Sequence, residues 1–160
     1  MCGLSGIYSN SQPHNLLKNQ TEKMLNIALH RGPDDQGIFS SNNCAIGLNR
    51  LAIIDLETGH QPIENENGNL ILVCNGEIYN YKQLKSQLEQ KNHTFYTNSD
   101  VEVILHLFEQ EGINGFQKLD GMFGFVLLDV KPIVFIPGSC RHKAFLLYPG
   151  KGRYYLFCSL

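Results

Sequence analysis

The chain has no apolar run near the roughly 20 residues that a membrane-spanning helix requires. Its opening residues, Met1-Cys2-Gly3-Leu4-Ser5-Gly6, show no basic segment leading into an apolar stretch, so no secretory signal is expected. No C-x-x-C pair occurs among the five cysteines, Cys2, Cys44, Cys74, Cys140 and Cys158. An odd count without a secretory signal points to reduced thiols and a cytoplasmic setting. Cys140 and His142 lack a second ligand pair, and His30, His60, His93 and His106 have no ligand-like spacing, so no metal site is expected. Gly150-Lys151-Gly152 lacks the Gly-x4-Gly-Lys-Ser/Thr spacing of a phosphate-binding loop. A net charge of −2 argues against a nucleic-acid partner.

The last thirty residues contain no acid. Residues 131–160 hold 5 Lys+Arg, whereas residues 1–130 hold 8 Lys+Arg and all 15 Asp+Glu. The two stretches read as different populations of sequence. The total length, 160 residues, is that of one domain. An apolar fraction of 42% and a charged fraction of 18% are those of a folded protein.

Along the chain, Leu4–Tyr8 reads as a first strand and residues 14–29 as a helix, with Leu17, Met24 and Ala28 at helical spacing. Residues 30–37 are loop chemistry. Residues 37–40 and 44–48 read as strands, and 51–54 as a further apolar run. Thr58 to Gly68 is turn-rich. Leu70–Cys74 reads as a buried strand. Tyr81, Leu84 and Leu88 mark a helix with Asn80 as its cap. Val101, Ile104, Leu105 and Phe108 mark another, with a capping box at Ser99-Asp100-Val101-Glu102 and a stop at Gly112. Met122–Val130 reads as a strand, and residues 132–138 as a strand bounded by prolines. Strands and helices mix without β-α-β alternation, which is α+β.

Several residues have a chemical reading beside a plain one. Removal of Met1 would leave Cys2 with both a thiol and an α-amine, nucleophile and base on one residue. Position alone favours an ordinary small residue after the start. Asn75-Gly76 is the spacing of a hairpin turn, which spacing alone favours, or a pair of donors for an oxyanion. Arg50, beside an apolar run, is either a surface residue or, if buried, in need of a carboxylate. Asp100 is either a helix-start acid or a partner for an ammonium, and Glu77 either serves the same ammonium or ends a strand in solvent. Cys44 and Cys74 read as small core residues.

Taken in order, Cys2-Gly3-Leu4-Ser5-Gly6-Ile7, His30-Arg31-Gly32-Pro33-Asp34-Asp35, Asn49-Arg50-Leu51-Ala52-Ile53-Ile54-Asp55, His60-Gln61-Pro62, Cys74-Asn75-Gly76-Glu77-Ile78-Tyr79-Asn80-Tyr81, Thr97-Asn98-Ser99-Asp100-Val101-Glu102 and Leu119-Asp120-Gly121-Met122-Phe123-Gly124-Phe125 form a specific set. Residues 2–130 resemble the N-terminal glutaminase domain of glutamine-hydrolysing asparagine synthetases, which are class II glutamine amidotransferases. The resemblance implies an N-terminal nucleophile (Ntn) hydrolase fold, four layers in the order α/β/β/α with two antiparallel sheets. It implies that L-glutamine is hydrolysed to glutamate and ammonia through a thioester on Cys2, with Asn75 and Gly76 as oxyanion hole. Arg50 then holds the substrate carboxylate, Glu77 and Asp100 its ammonium, and backbone near Leu51 and Ile53 lines the pocket. Arg31 and its loop are expected near the site. The glutaminase step takes no cofactor, while ATP and Mg belong to the synthetase part of the family, for which no segment is present here.

The resemblance stops at Val130. Residues 131–160 are expected to be a divergent tail, with a reading-frame shift after residue 130 as its origin and a fold left incomplete at its C-terminus. The alternatives to an active glutaminase are an inactive truncated fragment and a stand-alone subunit that feeds ammonia to a separate synthetase.

Overall fold

The computed structural model describes residues 2–130, 133–139, 144–150 and 153–159, the last three segments by their backbone alone. The apolar runs become long antiparallel strands. In chain order these are β1 (Gly3–Ser9), β2 (Asp35–Ser40), β3 (Cys44–Arg50), β4 (Ile63–Glu64), β5 (Leu70–Ile78), β6 (Gly121–Val130), β7 (Ile133–Ser139), β8 (Ala144–Gly150) and β9 (Arg153–Ser159). The helices are α1 (His14–Ile27), α2 (Tyr81–Glu89) and α3 (Val103–Glu111), with short 3-10 turns at Leu29–Arg31, Asp100–Glu102 and Gly112–Lys118. One sheet runs β2-β3-β1-β9-β8 and the other β4-β5-β6-β7. Every strand pairing is antiparallel.

Successive side chains of a strand face opposite ways, so a strand buried on both faces is apolar throughout. β5 and β6 follow this rule. Ile71, Val73, Val126 and Leu128 pack with Leu4, Ile46 and Leu48 between the two sheets. Leu72, Cys74, Phe125 and Leu127 point the other way, onto Leu84, Leu88, Ile104 and Leu105 of α2 and α3. On the far side, Ile7 and Ala45 meet Leu17 of α1. The result is four layers: α1, the β1 sheet, the β5 sheet, then α2 with α3. A Cβ on Gly47 would stand 2.7 Å from Leu25 Cδ1, so this glycine lets α1 lie close on β3.

Some local signals are overridden. Asn75-Gly76 is no hairpin turn. It lies inside β5, with Asn75 opposite Gly124 and Gly76 opposite Phe123. The nine-residue pairing with β6 outweighs the turn propensity. Gly76 adopts φ +145°, a conformation that side chains other than glycine's disfavour. Asn80 stands at the start of α2 but makes no side-chain cap. Its amide instead donates to Lys118 O (2.8 Å) and accepts from Asp120 N–H (3.1 Å). The Ser99–Glu102 capping box is not formed either. Glu102 accepts from Tyr96 N–H, Thr97 N–H and Thr97 Oγ1–H, at 2.8, 2.8 and 2.6 Å. The stop at Gly112 does form, at φ +64°.

Residues 131–160 bring β7 to the edge of one sheet, beside β6, and β8 and β9 to the other. β9 lies against β1, with Leu4 opposite Cys158 and Ser9 opposite Arg153.

Phe125 is fully buried beneath α3 and meets the rings of Phe116 and Phe123 at 5.0 and 6.0 Å between centroids. Phe125→Ala is expected to cost about 3–5 kcal/mol. Urea unfolding monitored by circular dichroism measures it, and a loss under 1 kcal/mol would contradict this core assignment.

Candidate active site

A cleft opens where the ends of β1 and β3 meet β5, with about 770 Å³ of empty space including its mouth. All eight residues singled out from the sequence line it: Cys2, Arg50, Leu51, Ile53, Asn75, Gly76, Glu77 and Asp100. Gln61, Ser99 and Met122 line it as well.

Cys2 precedes β1 and is half-buried. Its backbone N–H donates to Asn75 Oδ1 at 3.2 Å. Its Sγ accepts from Leu51 N–H at 3.3 Å and approaches Leu51 O at 3.9 Å. Leu51 is itself fixed through its neighbour, because Ala52 N–H donates to Asp34 Oδ2 at 2.9 Å. This is how the residue 30–35 loop reaches the cleft. Arg31 packs beside Gly3, and its Nε and Nη2 are buried with no hydrogen-bond partner among the described residues.

Asn75 is 2% exposed. With Oδ1 turned to Cys2 N–H, the amide presents its NH2 as the donor group for a ligand. Gln61 fixes this part of β5 as a neighbouring strand would. Its Nε2 donates to Cys74 O at 3.1 Å and its Oε1 accepts from Cys74 N–H at 2.6 Å. Gln61 carries no signal of this role as a single residue; only the ordered motif set includes it.

Arg50 is 5% exposed, which removes the surface reading. Its Nη2 donates to two carbonyl oxygens, Ile54 (2.7 Å) and Asp55 (2.6 Å). No carboxylate of the described residues forms an ion pair with it. Gly59 makes room for the guanidinium, since a Cβ there would stand 2.5 Å from Arg50 Nη2. The Asp55 carboxylate ties this loop across the cleft, accepting from Thr58 N–H (3.0 Å), Thr58 Oγ1–H (2.5 Å) and Asn98 N–H (2.9 Å). Burial works against its charge, but these hydrogen bonds prevail and hold its pKa below the ordinary value.

Asp100 is 3% exposed and accepts from Ile78 N–H at 2.7 Å. Burial pushes its pKa up, the nearby Glu77 charge adds to this, and the Ile78 bond only partly offsets it. The cleft therefore holds a buried cation at Arg50 and two carboxylates, at Asp100 and Glu77, around a thiol.

Two sheets packed face to face between helices, with a cysteine at the head of an internal strand and an Asn amide over it, define an N-terminal nucleophile hydrolase. Residues 1–136 match the family described as "Glutamine amidotransferase domain", and the chain belongs to it. It is 39% identical over 152 residues to asparagine synthetase [glutamine-hydrolyzing] 1 of Lotus japonicus, covering 95% of this chain and 26% of the relative. It is 41% identical over 135 residues to asparagine synthetase [glutamine-hydrolyzing] 2 of Bacillus subtilis (strain 168), covering 81% of this chain and 17% of the relative. The chain thus spans about a quarter or less of these relatives. The solved glutamine phosphoribosylpyrophosphate amidotransferase of B. subtilis superposes with a TM-score of 0.73 at 25% identity, over 98% of this chain and 41% of that one.

Asp100 yields a stability prediction. Its folded-state pKa is raised, so the ionised form is the disfavoured one in the folded protein. Stability from this position is full below the ordinary carboxylate range and falls as pH rises through the raised value. Asp100→Asn is therefore expected to raise Tm at pH 7, with the gain vanishing toward pH 3.5. A Tm loss at pH 7 that persists unchanged at acid pH would contradict this.

Proposed function

We propose that this chain hydrolyses L-glutamine to glutamate and ammonia, with Cys2 as nucleophile. The observation that carries the reading is the convergence of the Cys2 thiol, the Asn75 amide and Gly76 in one cleft with Arg50 and Asp100. Once Met1 is removed, the Cys2 α-amine, with an ordinary pKa of roughly 7.7–8.0, takes the thiol proton. Leu51 N–H already donates to Sγ and orients it. The thiolate attacks the side-chain amide carbon, and the tetrahedral oxyanion is held by the Asn75 NH2 and the Gly76 N–H. Ammonia departs with the proton held by the α-amine, leaving a thioester. Water then attacks the thioester and releases glutamate and the thiol.

The two ends of glutamine find opposite charges. Arg50 binds the α-carboxylate; Asp100 and Glu77 bind the α-ammonium, and backbone near Leu51 and Ile53 lines the pocket. The positive charge of the ammonium offsets the penalty that burial places on the ionised Asp100 carboxylate. The glutaminase step draws only on groups of this chain. In an asparagine-forming protein the ammonia passes on to a synthetase domain or a separate synthetase subunit, where ATP and Mg act. The relatives' names support asparagine biosynthesis as the setting, and the free cysteines among the described residues, Cys2, Cys44 and Cys74, support a cytoplasmic one. Among the described residues no helix is long and apolar enough to cross a membrane.

Glutamate release by the purified chain tests this reading. Cys2→Ala is expected to lower the rate by about 10³-fold or more, and mass spectrometry is expected to show Met1 removed. Equal rates in the two proteins would leave an inactive fragment as the correct reading. Gly59→Ala displaces the Arg50 guanidinium, so KM for glutamine is expected to rise roughly tenfold to a hundredfold, the worth of a charge-assisted hydrogen bond, with kcat changed far less. An unchanged KM would remove Arg50 from substrate binding.

A further inference from the structure

His93 and His106, thirteen residues apart and read as structural from the sequence, are brought together on the outer face of α3. Their rings lie 5.2 Å apart between centroids. Glu109 joins them: its Oε2 is 3.0 Å from His106 Nδ1 and 3.6 Å from His93 Nδ1. The three ligand atoms all fall within 4.8 Å of one another.

The surroundings orient each group. Asn65 Nδ2–H donates to Glu109 Oε1 at 2.7 Å, which leaves Oε2 to the two imidazoles. His93 Nε2 meets Gln110 Oε1 at 3.2 Å, which turns Nδ1 inward. His106 is 1% exposed, and its Nε2 makes no hydrogen bond but lies 3.6 Å from Glu102 Oε1. Glu102 is in turn held by the backbone of Tyr96 and Thr97. A carboxylate behind a histidine, with the histidine's other nitrogen facing a second carboxylate and a second histidine, is the usual support of a metal ligand. Zinc bonds of roughly 2.0–2.1 Å in tetrahedral array place neighbouring ligand atoms about 3.3–3.4 Å apart. The two distances to Glu109 Oε2 bracket that value.

We propose that His93 Nδ1, His106 Nδ1 and Glu109 Oε2 bind one zinc-class divalent cation, with the fourth position open to solvent. Two imidazoles and one carboxylate suit a borderline cation, whereas magnesium and calcium take oxygen ligands. The ion bridges residue 93 to α3 and closes the loop that carries Thr97 to Asp100. This site lies outside the cleft and does not depend on the glutaminase reading.

Cobalt(II), a spectroscopic stand-in for zinc, provides the test in a Cys2→Ser background that removes the cleft thiol as a competing ligand. At pH 7.5 the chain is expected to bind one equivalent of Co²⁺ with the intense visible bands of a tetrahedral site, displaced by Zn²⁺ and not by Mg²⁺. Zn²⁺ is expected to raise Tm. Glu109→Gln and His93→Gln, both at the solvent edge, are each expected to weaken Zn²⁺ binding by at least 10–100-fold and to abolish the Tm rise while the circular dichroism spectrum stays native. Absence of one-equivalent binding, or binding and a Tm rise that survive both substitutions, would overturn the proposal.

Discussion

The hydrogen bond from Cys2 N–H to Asn75 Oδ1 joins residues 73 apart in the chain, and the geometry of the cleft depends on it. One partner stands at the head of β1, the other inside β5, so the bond ties one sheet to the other where both lose their apolar filling. It engages the Asn75 oxygen and so orients the amide. It also sets the Cys2 backbone beside that amide, the juxtaposition on which the proposed attack relies. Behind each partner stands a second restraint. Asp34 holds the Leu51–Ala52 backbone against Sγ, and Gln61 mimics a neighbouring strand along Cys74.

Charge placement follows from the same packing. Arg50 and Asp100 are both nearly inaccessible, and among the described residues neither forms an ion pair, although Arg50 acts on the Asp55 carboxylate through space. A buried charge without a counter-charge is costly. Arg50 is solvated by the carbonyls of Ile54 and Asp55, and Asp100 by the Ile78 N–H. Asp55 links the two halves, since its carbonyl serves Arg50 while its carboxylate holds Asn98, two residues before Asp100. In the proposed glutaminase reading, the two ends of an amino acid zwitterion offset this cost at both places.

Much of this architecture was legible in the sequence because it rests on apolar periodicity. Ile71, Val73, Val126 and Leu128 alternate with Leu72, Cys74, Phe125 and Leu127, and such runs can only be strands covered on both faces. Local polar signals fared worse. Asn75-Gly76, Asn80 and Ser99-Glu102 each match a turn or cap motif, yet in all three places another partner takes the side chain or the backbone, distant in the chain for the first two and upstream at Tyr96 and Thr97 for Glu102. A propensity worth about 1 kcal/mol loses to an extended ladder of strand bonds. The Cys2 reading was beyond any single-residue signal, since a small residue after Met1 is common; it needed the ordered set of motifs. His93 and His106 carried no signal at all, because their approach depends on how the residue 90–97 loop folds back over α3.

The acid-free end of the chain bears on the site through β1. β9 is the neighbour of β1 on the side opposite β3, and its register sets Cys158 against Leu4, two residues from Cys2. With β9 in place β1 is an internal strand; without it β1 is an edge with unpaired N–H and C=O groups. An edge strand frays most easily at its ends, and Cys2 precedes the first residue of β1. The residues proposed to supply the chemistry all lie between 2 and 100. The rigidity that keeps the thiol 3.3 Å from Leu51 N–H nonetheless draws on a strand from 153–159. A change of composition after Val130 is thus no neutral appendage. Whatever weakens β9 loosens the head of β1 first, beside the residue proposed as nucleophile.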